Sequence, residues 1–362
     1  MAADAYTLCR TVLLLSRCLG LAPFSLAGNV GSRCLQTSVF GILYSITFPV
    51  VLLVLALCWS EIWHIKPTMC DVSAGAIYFI IILHFMISFS LCLLKRQKII
   101  NIARQLSDVN ASLKCTCECV WKRLSYILSS QVCITLVICL LSFIFEKFIL
   151  QMDMPLIVIV ANNLLNFSCF VVEFQLVSFF MLLKQLISDM NKSISGLYRT
   201  KDNRDSACSC SKSSHNNTVP LFVTSFNHRI QNSVVRSEEN SLKTRVILLR
   251  DVQDSLCGSA ELLNSTYSFL LLYTTAKTFI CLTHSLYNIL RNVFLNRAMS
   301  HYPVLLVHSH YLWFVFYAGK LLWLLFYSSS TIQEANNTAV LVHKILAKTR
   351  DPDVREEVFS NF

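Results

Sequence analysis

Three ionisable side chains lie inside stretches of sequence that are otherwise apolar. They are Glu173, Lys277 and Lys320. On insertion scales a charged group in lipid is unfavourable by about 2.5 to 3.5 kcal/mol, so such groups usually face the interior of a helical bundle. We expect Glu173 to form an ion pair with Lys277 or with Lys320. The alternative for Lys320 is that its long side chain extends to the membrane surface near Tyr327.

A second set of residues combines aromatic faces with amide, imidazole and hydroxyl groups in the same apolar stretches. These groups suit a small polar organic ligand such as a sugar or an alkaloid. The alternative is that tyrosine and tryptophan near the ends of a membrane span are interfacial anchors. The leading ligand candidates are Asn163, His284, Tyr287, Asn288, Trp313 and Tyr317, and the wider set adds Tyr78, His84, Asn162, Thr283 and Tyr311.

The elements that must position these residues are membrane helices. The 362-residue chain is 54% hydrophobic and only 14% charged, with a mean hydropathy of +0.55. Soluble domains carry about 25% charged residues, and an apolar run of about 20 residues spans the lipid core. Six stretches are long and apolar enough, or nearly so: Val39–Ser60, Ala74–Leu94, Leu124–Phe145, Pro155–Leu183, Tyr267–Leu290 and Tyr311–Tyr327. We expect an all-α polytopic bundle. A shorter run, Val12–Leu26, is interpreted as a cytoplasmic or interfacial helix, with a signal peptide as the alternative.

The distribution of basic residues predicts the orientation. With the N-terminus inside, 25 of the 31 lysines and arginines fall in inner segments, including "KRQK" at Lys95–Lys98. Short cytoplasmic loops carry such an excess. The net charge of +10 is therefore explained by topology, and no nucleic-acid partner is expected.

The sequence contains no enzyme, metal or cofactor motif that we recognise. No G-x-S-x-G, H-E-x-x-H or phosphate-binding loop is present, so we expect neither an enzyme nor a cofactor. Of the 16 cysteines only Cys70 falls clearly in an outer loop. "CTCEC" and "CSC" lack the two-residue spacing of zinc sites, so juxtamembrane or palmitoylated cysteines are favoured over a metal site.

The segment that precedes the fifth span has a helical pattern, whereas the polar stretch before it does not. Apolar residues at Val246, Leu249, Val252 and Leu256 predict a helix from Ser241 into the fifth span. The polar stretch Arg199–Thr218 is expected not to order itself.

After the sixth span, a heptad-like stripe predicts an assembly seam, with a lone surface amphipathic helix as the alternative. Its members are Ile332, Ala335, Ala339, Val342 and Leu346.

These observations divide the chain into five parts. They are a cytoplasmic N-terminal segment (1–37), four spans (38–183), a long cytoplasmic loop ending in a helix (184–263), two further spans (264–330) and a cytoplasmic anchor helix (331–362).

Three segments resemble the insect gustatory receptor family. "STIQEANNTAVLVHKIL" (Ser330–Leu346) resembles its C-terminal region, "LSRCLGLAPFSL" (Leu15–Leu26) its N-terminal segment, and "LRDVQDSLCGSAELLNSTYSFLLL" (Leu249–Leu272) its helix leading into the fifth span. The inside N-terminus agrees with that family. The resemblance implies a ligand-gated, non-selective cation channel that senses a sugar or a bitter compound, assembled as a homo- or heterotetramer in the plasma membrane of sensory neuron dendrites.

One part of the family's pattern is missing. Members have a seventh span with a Thr-Tyr, five residues, Gln-Phe signature, and this span lines the pore. "TYSFLLLY" at Thr266–Tyr273 opens the fifth span instead, so we expect a truncated chain that does not conduct alone.

Two other classes remain as alternatives. A seven-span G-protein-coupled receptor would need the opposite orientation. A transporter would need broken helices at corresponding positions, and Pro49 alone does not supply them.

Overall fold

The computed structural model describes residues 14–21, 24–27, 34–63, 69–113, 118–145, 156–211, 224–295 and 302–348. Seven long helices form the bundle: α1 (Val39–Trp63), α2 (Met69–Leu94), α3 (Arg96–Leu113), α4 (Glu118–Ile144), α5 (Leu156–Ser211), α6 (Thr224–Leu295) and α7 (Tyr302–Lys348). The expected helical fold is confirmed. A small antiparallel hairpin of β1 (Phe24–Ala27) and β2 (Cys34–Thr37), with Phe24 opposite Thr37, was not predicted.

Helix α5 is the centre of the bundle. In its most apolar 18-residue stretch, which lies within Ile159–Gly196, 89% of the residues are buried, against 33% in the corresponding stretches of α2 and α4. A helix that is apolar on all sides is one that other elements surround. Helices α1, α2, α3, α4, α6 and α7 all pack against it.

Four of the described helices contain stretches long and apolar enough to cross a membrane. They are Gly75–Leu94, Lys122–Ile144, Ile159–Gly196 and Val307–Lys344. The predicted first span corresponds to a shorter apolar stretch, Val39–Leu55. The predicted fifth span lies in α6, which is not among these four.

Helices α5 and α6 extend well beyond their predicted membrane spans. The helix predicted from Ser241 begins earlier, at Thr224, and continues unbroken to Leu295. Leu249, Val252 and Leu256 are buried as the pattern predicts, while the Val246 side chain lies outside the description. The expectation for Arg199–Thr218 is wrong in part, because α5 remains helical to Ser211. The composition of this stretch did not predict the helix. Adding residues to an existing helix is easier than starting a new one, and α5 is already stabilised by its buried part.

Helix α3 was not predicted from the sequence. It follows α2 after a single turn residue and buries one face, which contains Ile99, Ile100, Ile102, Ala103, Leu106 and Val109. Apolar residues recurring every three or four positions are typical of an amphipathic helix packed on a core. The helix begins with the basic residues Arg96 and Lys98, which the distribution of lysine and arginine predicts to lie on the cytoplasmic side.

A short helix near the N-terminus, residues 14–18, packs against the bundle. The turn that follows it contains Gly20, whose φ of 68° is readily adopted only by glycine. The Leu21 amide donates to the Ser16 carbonyl and the Gly20 amide to the Arg17 carbonyl, which closes the helix end. Ser16 is fully buried and accepts a hydrogen bond from the Gln175 amide of α5. This helix therefore buries one side against the bundle, while Leu14, Arg17 and Cys18 stay exposed.

Candidate functional site

Glu173 and Lys320 lie side by side in the interior of the bundle. Lys320 Nζ on α7 is 2.6 Å from Glu173 Oε2 on α5, although the angles between the two groups fall outside those of a hydrogen bond. Both side chains are largely buried, at 13% and 10% exposure. The structure thus places Lys320 against the carboxylate inside the bundle.

Lys277 enters the same cluster through a histidine. Its Nζ on α6 lies 2.8 Å from His84 Nδ1 on α2, and the lysine is 1% exposed. With the ammonium as donor, Nδ1 accepts and the imidazole proton is on Nε2. That nitrogen lies 3.1 Å from Thr274 Oγ1 and 3.8 Å from Glu173 Oε1.

The two ammonium groups also share one aromatic ring. The centroid of the Phe170 ring lies 4.9 Å from Lys320 Nζ and 5.4 Å from Lys277 Nζ. The negative face of a buried ring attracts a cation, by about 2 kcal/mol where water is excluded. Phe170 and Glu173 are one turn apart on α5, so this helix presents both of its stabilising groups to the two lysines.

The charges of this cluster do not balance. Among its described members, Glu173 is one carboxylate facing two lysines, and His84 connects the second lysine to it. A surplus charge in a buried site is unfavourable unless it is paired or hydrogen-bonded. Any movement that separates α2, α5, α6 and α7 would therefore change the interactions of this cluster.

The sequence names His84 among the wider ligand candidates and not among the buried charges. In the structure it is fully buried and joins Lys277 to Glu173. Histidine in an apolar helix is itself an ionisable group, so the rule that selected Glu173 would have selected His84 too.

A small cavity lies beside the ion pair. Its volume is about 30 Å³, and its polar lining comes from Glu173, Lys320, Gln131 and threonines of α6, among them Thr274 and Thr278. This is room for one or two water molecules, for which the polar groups of the otherwise apolar lining would be hydrogen-bond partners. Water there would give the carboxylate and the ammonium additional hydrogen bonds.

The α6 ligand candidates lie along an open trough between α2 and α6. The trough has a volume of about 500 Å³, and His284 and Tyr287 contribute to its lining, as does Thr283. Asn288 Nδ2 lies 2.9 Å from His284 Nε2, one turn away on the same helix. The His284 ring also meets the edge of His310 on α7, with ring centroids 6.1 Å apart.

The α7 candidates form an aromatic stack. Trp313 and Tyr317 stack with centroids 5.5 Å apart, and Tyr317 is buried against Phe170. Asn163 is half-buried on α5 and donates to the Ile159 carbonyl of its own helix. The structure therefore brings His284 and Asn288 together on α6 and Trp313 and Tyr317 together on α7, while Asn163 bonds within its own helix.

The predicted seam on α7 is mostly outside the protomer core. Ile332 is 62% exposed and Ala335 and Ala339 are exposed, whereas Val342 is buried. The Leu346 side chain lies outside the description.

The strip of α7 that packs on α5 is the neighbouring one. Thr338 Oγ1 donates to Asn191 Oδ1 at 2.7 Å, and Asn191 Nδ2 donates to the Glu334 carbonyl at 2.9 Å.

Within the described part of the chain, no three or more histidine, cysteine, aspartate or glutamate side chains are grouped so that they could hold a metal ion. The side chains of Cys208 and Cys210, like those of the "CTCEC" stretch, are outside the description.

Residues 9–362 match the family model described as 7tm Chemosensory receptor. The match extends over nearly the whole chain and includes every residue of the charged cluster. No curated protein matches the chain significantly.

Proposed function

Because the chain belongs to the 7tm chemosensory receptor family, we propose that it is a gustatory receptor, one subunit of a ligand-gated, non-selective cation channel. Its ligand is a small tastant, a sugar or a bitter compound. We place it in the plasma membrane of sensory neuron dendrites as a multi-pass protein with a cytoplasmic N-terminus. The biased distribution of lysine and arginine supports this orientation.

The observation that carries the ligand proposal is the trough between α2 and α6. An apolar surface with imidazole, hydroxyl and phenol groups at one side is the usual chemistry of a site for a small organic molecule. His284 and Tyr287 supply these groups, together with Thr283. Trp313 and Tyr317 add an aromatic surface on α7.

The charged cluster offers a route from ligand to channel. His284 and Lys277 lie on the same helix, seven positions or about two turns apart. A ligand that shifts α6 would change the distance from Lys277 to His84, and with it the balance of charge around Glu173. Helix α7, which carries Lys320, would respond because its ammonium pairs with that carboxylate.

Assembly into a homo- or heterotetramer is the second part of the proposal. The exposed Ile332, Ala335 and Ala339 support it, because small and apolar residues at heptad spacing let helices of different subunits approach closely.

A binding experiment tests the ligand proposal. The purified chain is titrated with a panel of sugars and bitter compounds, and the affinity for the best ligand is compared with that of His284→Ala. Removing one neutral hydrogen bond should weaken binding roughly fivefold. Leu286→Ala, an exposed α6 position outside the trough lining, is the matched control. Equal affinities for the original chain and His284→Ala would place the ligand elsewhere.

An electrophysiological recording tests the channel proposal against the two alternatives, a G-protein-coupled receptor and a transporter. Cells that express the chain with a second chemosensory receptor subunit should give a ligand-evoked cation current without G-protein signalling. A reporter fused to the N-terminus should be cytoplasmic. A response abolished by blocking G proteins, or an extracellular reporter, would favour a G-protein-coupled receptor.

A further inference from the structure

A groove separate from the trough and the charged cluster runs between α2 and α6 at the C-terminal end of α2. Its volume is about 360 Å³, and it is walled by Met86, Leu91 and Leu94 of α2 and Phe269 of α6. Leu94 and Phe269 are 79% and 63% exposed. In a membrane helix such side chains face hydrocarbon, so the groove opens toward lipid and not toward an aqueous phase.

One end of this groove is polar and basic. Lys95, the turn residue between α2 and α3, lines it together with the hydroxyl-bearing Ser265 and Thr266 of α6. Arg96 and Lys98 follow at once, in the first turn of α3, and both are half-buried.

One acidic group must be counted against these cations. The Glu261 carboxylate of α6 is exposed and lies one helical turn before Ser265. Lys95 lines the groove, and with its sequence neighbours Arg96 and Lys98 it sets three basic groups against one carboxylate near this end.

We propose that this groove is a binding site for an anionic glycerophospholipid of the surrounding bilayer. An acyl chain lies along Met86, Leu91 and Phe269, and the phosphate of the headgroup meets Lys95, with Arg96 and Lys98 beside it. Basic pockets between membrane helices on the cytoplasmic side bind such headgroups. The occupant is anionic because the basic end requires it, and it is a lipid because the rest of the groove is apolar and opens to hydrocarbon.

The site also has a structural consequence. Helices α2 and α6 pack against each other, and they carry His84 and Lys277 of the charged cluster. A lipid held between them near Lys95 would therefore stabilise the same helix pair that the cluster joins. The inference does not depend on which tastant the receptor senses.

The test uses the full chain in nanodiscs of phosphatidylcholine with and without phosphatidylglycerol. Lipids retained on the protein after transfer to detergent are identified and titrated by native mass spectrometry. We expect retention of phosphatidylglycerol in preference to phosphatidylcholine. The triple variant Lys95→Gln, Arg96→Gln, Lys98→Gln should weaken phosphatidylglycerol binding by roughly fivefold for each basic side chain removed, since each is worth about 1 kcal/mol near an anionic headgroup.

Two controls separate this site from general electrostatic attraction. Arg104→Gln removes an exposed basic residue of the same helix α3 that does not line the groove, and it should leave binding unchanged. Ser265→Phe fills the groove from its rim and should reduce retention of phosphatidylcholine as well, whereas Ala276→Phe, on an exposed part of α6 outside the groove, should not.

Three outcomes would overturn the proposal. They are equal retention of the two lipids by the original chain, an effect of Arg104→Gln as large as that of the triple variant, and displacement of the lipid by inorganic phosphate alone. The last result would identify a site for free phosphate without a role for the apolar groove.

Discussion

The Lys277 ammonium lies 2.8 Å from Nδ1 of His84, although the two residues are 193 positions apart in the chain. This contact joins α6 to α2 inside the bundle. The same imidazole lies 3.8 Å from the Glu173 carboxylate. It therefore connects Lys277 to the one carboxylate described in the cluster.

Removing the histidine should destabilise the bundle. His84→Leu leaves the Lys277 ammonium buried without its acceptor, which should lower the free energy of unfolding by about 1 to 3 kcal/mol. The double variant His84→Leu, Lys277→Met removes both groups and should recover part of that loss. Thermal unfolding in detergent measures both, and purely additive effects of the two substitutions would argue against a direct interaction.

The Glu173–Lys320 pair should show stronger coupling. Breaking a buried ion pair from one side typically costs about 3 to 5 kcal/mol, whereas replacing both partners by apolar residues is often neutral. We therefore expect Glu173→Leu and Lys320→Met each to destabilise the protein more than the double variant does. A double-mutant cycle of unfolding free energies gives the coupling, and a value near zero would mean that the two side chains do not interact in solution.

Gly20 should be intolerant of any side chain. Its positive φ disfavours L-residues by about 1 to 2 kcal/mol, and an added Cβ would lie 3.4 Å from the Ser45 backbone. Gly20→Ala should lower the unfolding midpoint. Gly258→Ala, in the interior of α6 with open space around it, is the matched control and should leave it unchanged or raise it. Equal effects at both positions would contradict this reading of the helix end.

Charge introduced on the exposed seam should prevent assembly without unfolding the protomer. Ala335→Glu and Ala339→Glu place carboxylates where we propose that neighbouring subunits meet, while Asn337→Glu places one on another exposed part of the same helix. Size-exclusion chromatography with light scattering should show smaller particles for the two alanine variants only. If Asn337→Glu dissociates the assembly equally, the seam is on a different face.

The thiol of Cys257 should react slowly at neutral pH. Partial burial, followed by the nearby carboxylates of Asp254 and Glu261, raises its pKa above the ordinary value for cysteine. The thiolate is the reactive form, so maleimide labelling should accelerate as the pH rises. Glu261→Gln removes one negative charge, lowers the pKa and should increase the rate at pH 7, whereas Glu261→Asp should not.

Site-resolved mass spectrometry separates Cys257 from the other cysteines in this labelling experiment. The same measurement tests orientation, because a membrane-impermeant reagent should reach Cys257 only from the cytoplasmic side. Labelling from outside intact cells would reverse the proposed topology.

Local sequence determined the helical class of this protein and much of its interior. Long apolar runs must form helices in lipid because the backbone can satisfy its hydrogen bonds there only internally. The same reasoning selected Glu173, Lys277 and Lys320, since a charge in such a run is tolerated only where it faces other protein groups. The burial of Leu249, Val252 and Leu256 was also predictable, because their spacing places all three on one face of a helix.

Tertiary structure alone decided which groups meet. The sequence left Glu173 free to pair with either lysine, and packing placed Lys320 beside it and Lys277 beside His84. It also decided that α7 turns Thr338 toward α5 and leaves Ala335 and Ala339 exposed. The physical reason is that such contacts depend on the rotation and depth of each helix relative to its neighbours. Both are set by the packing of side chains far apart in the chain, which the pattern along any single helix does not contain.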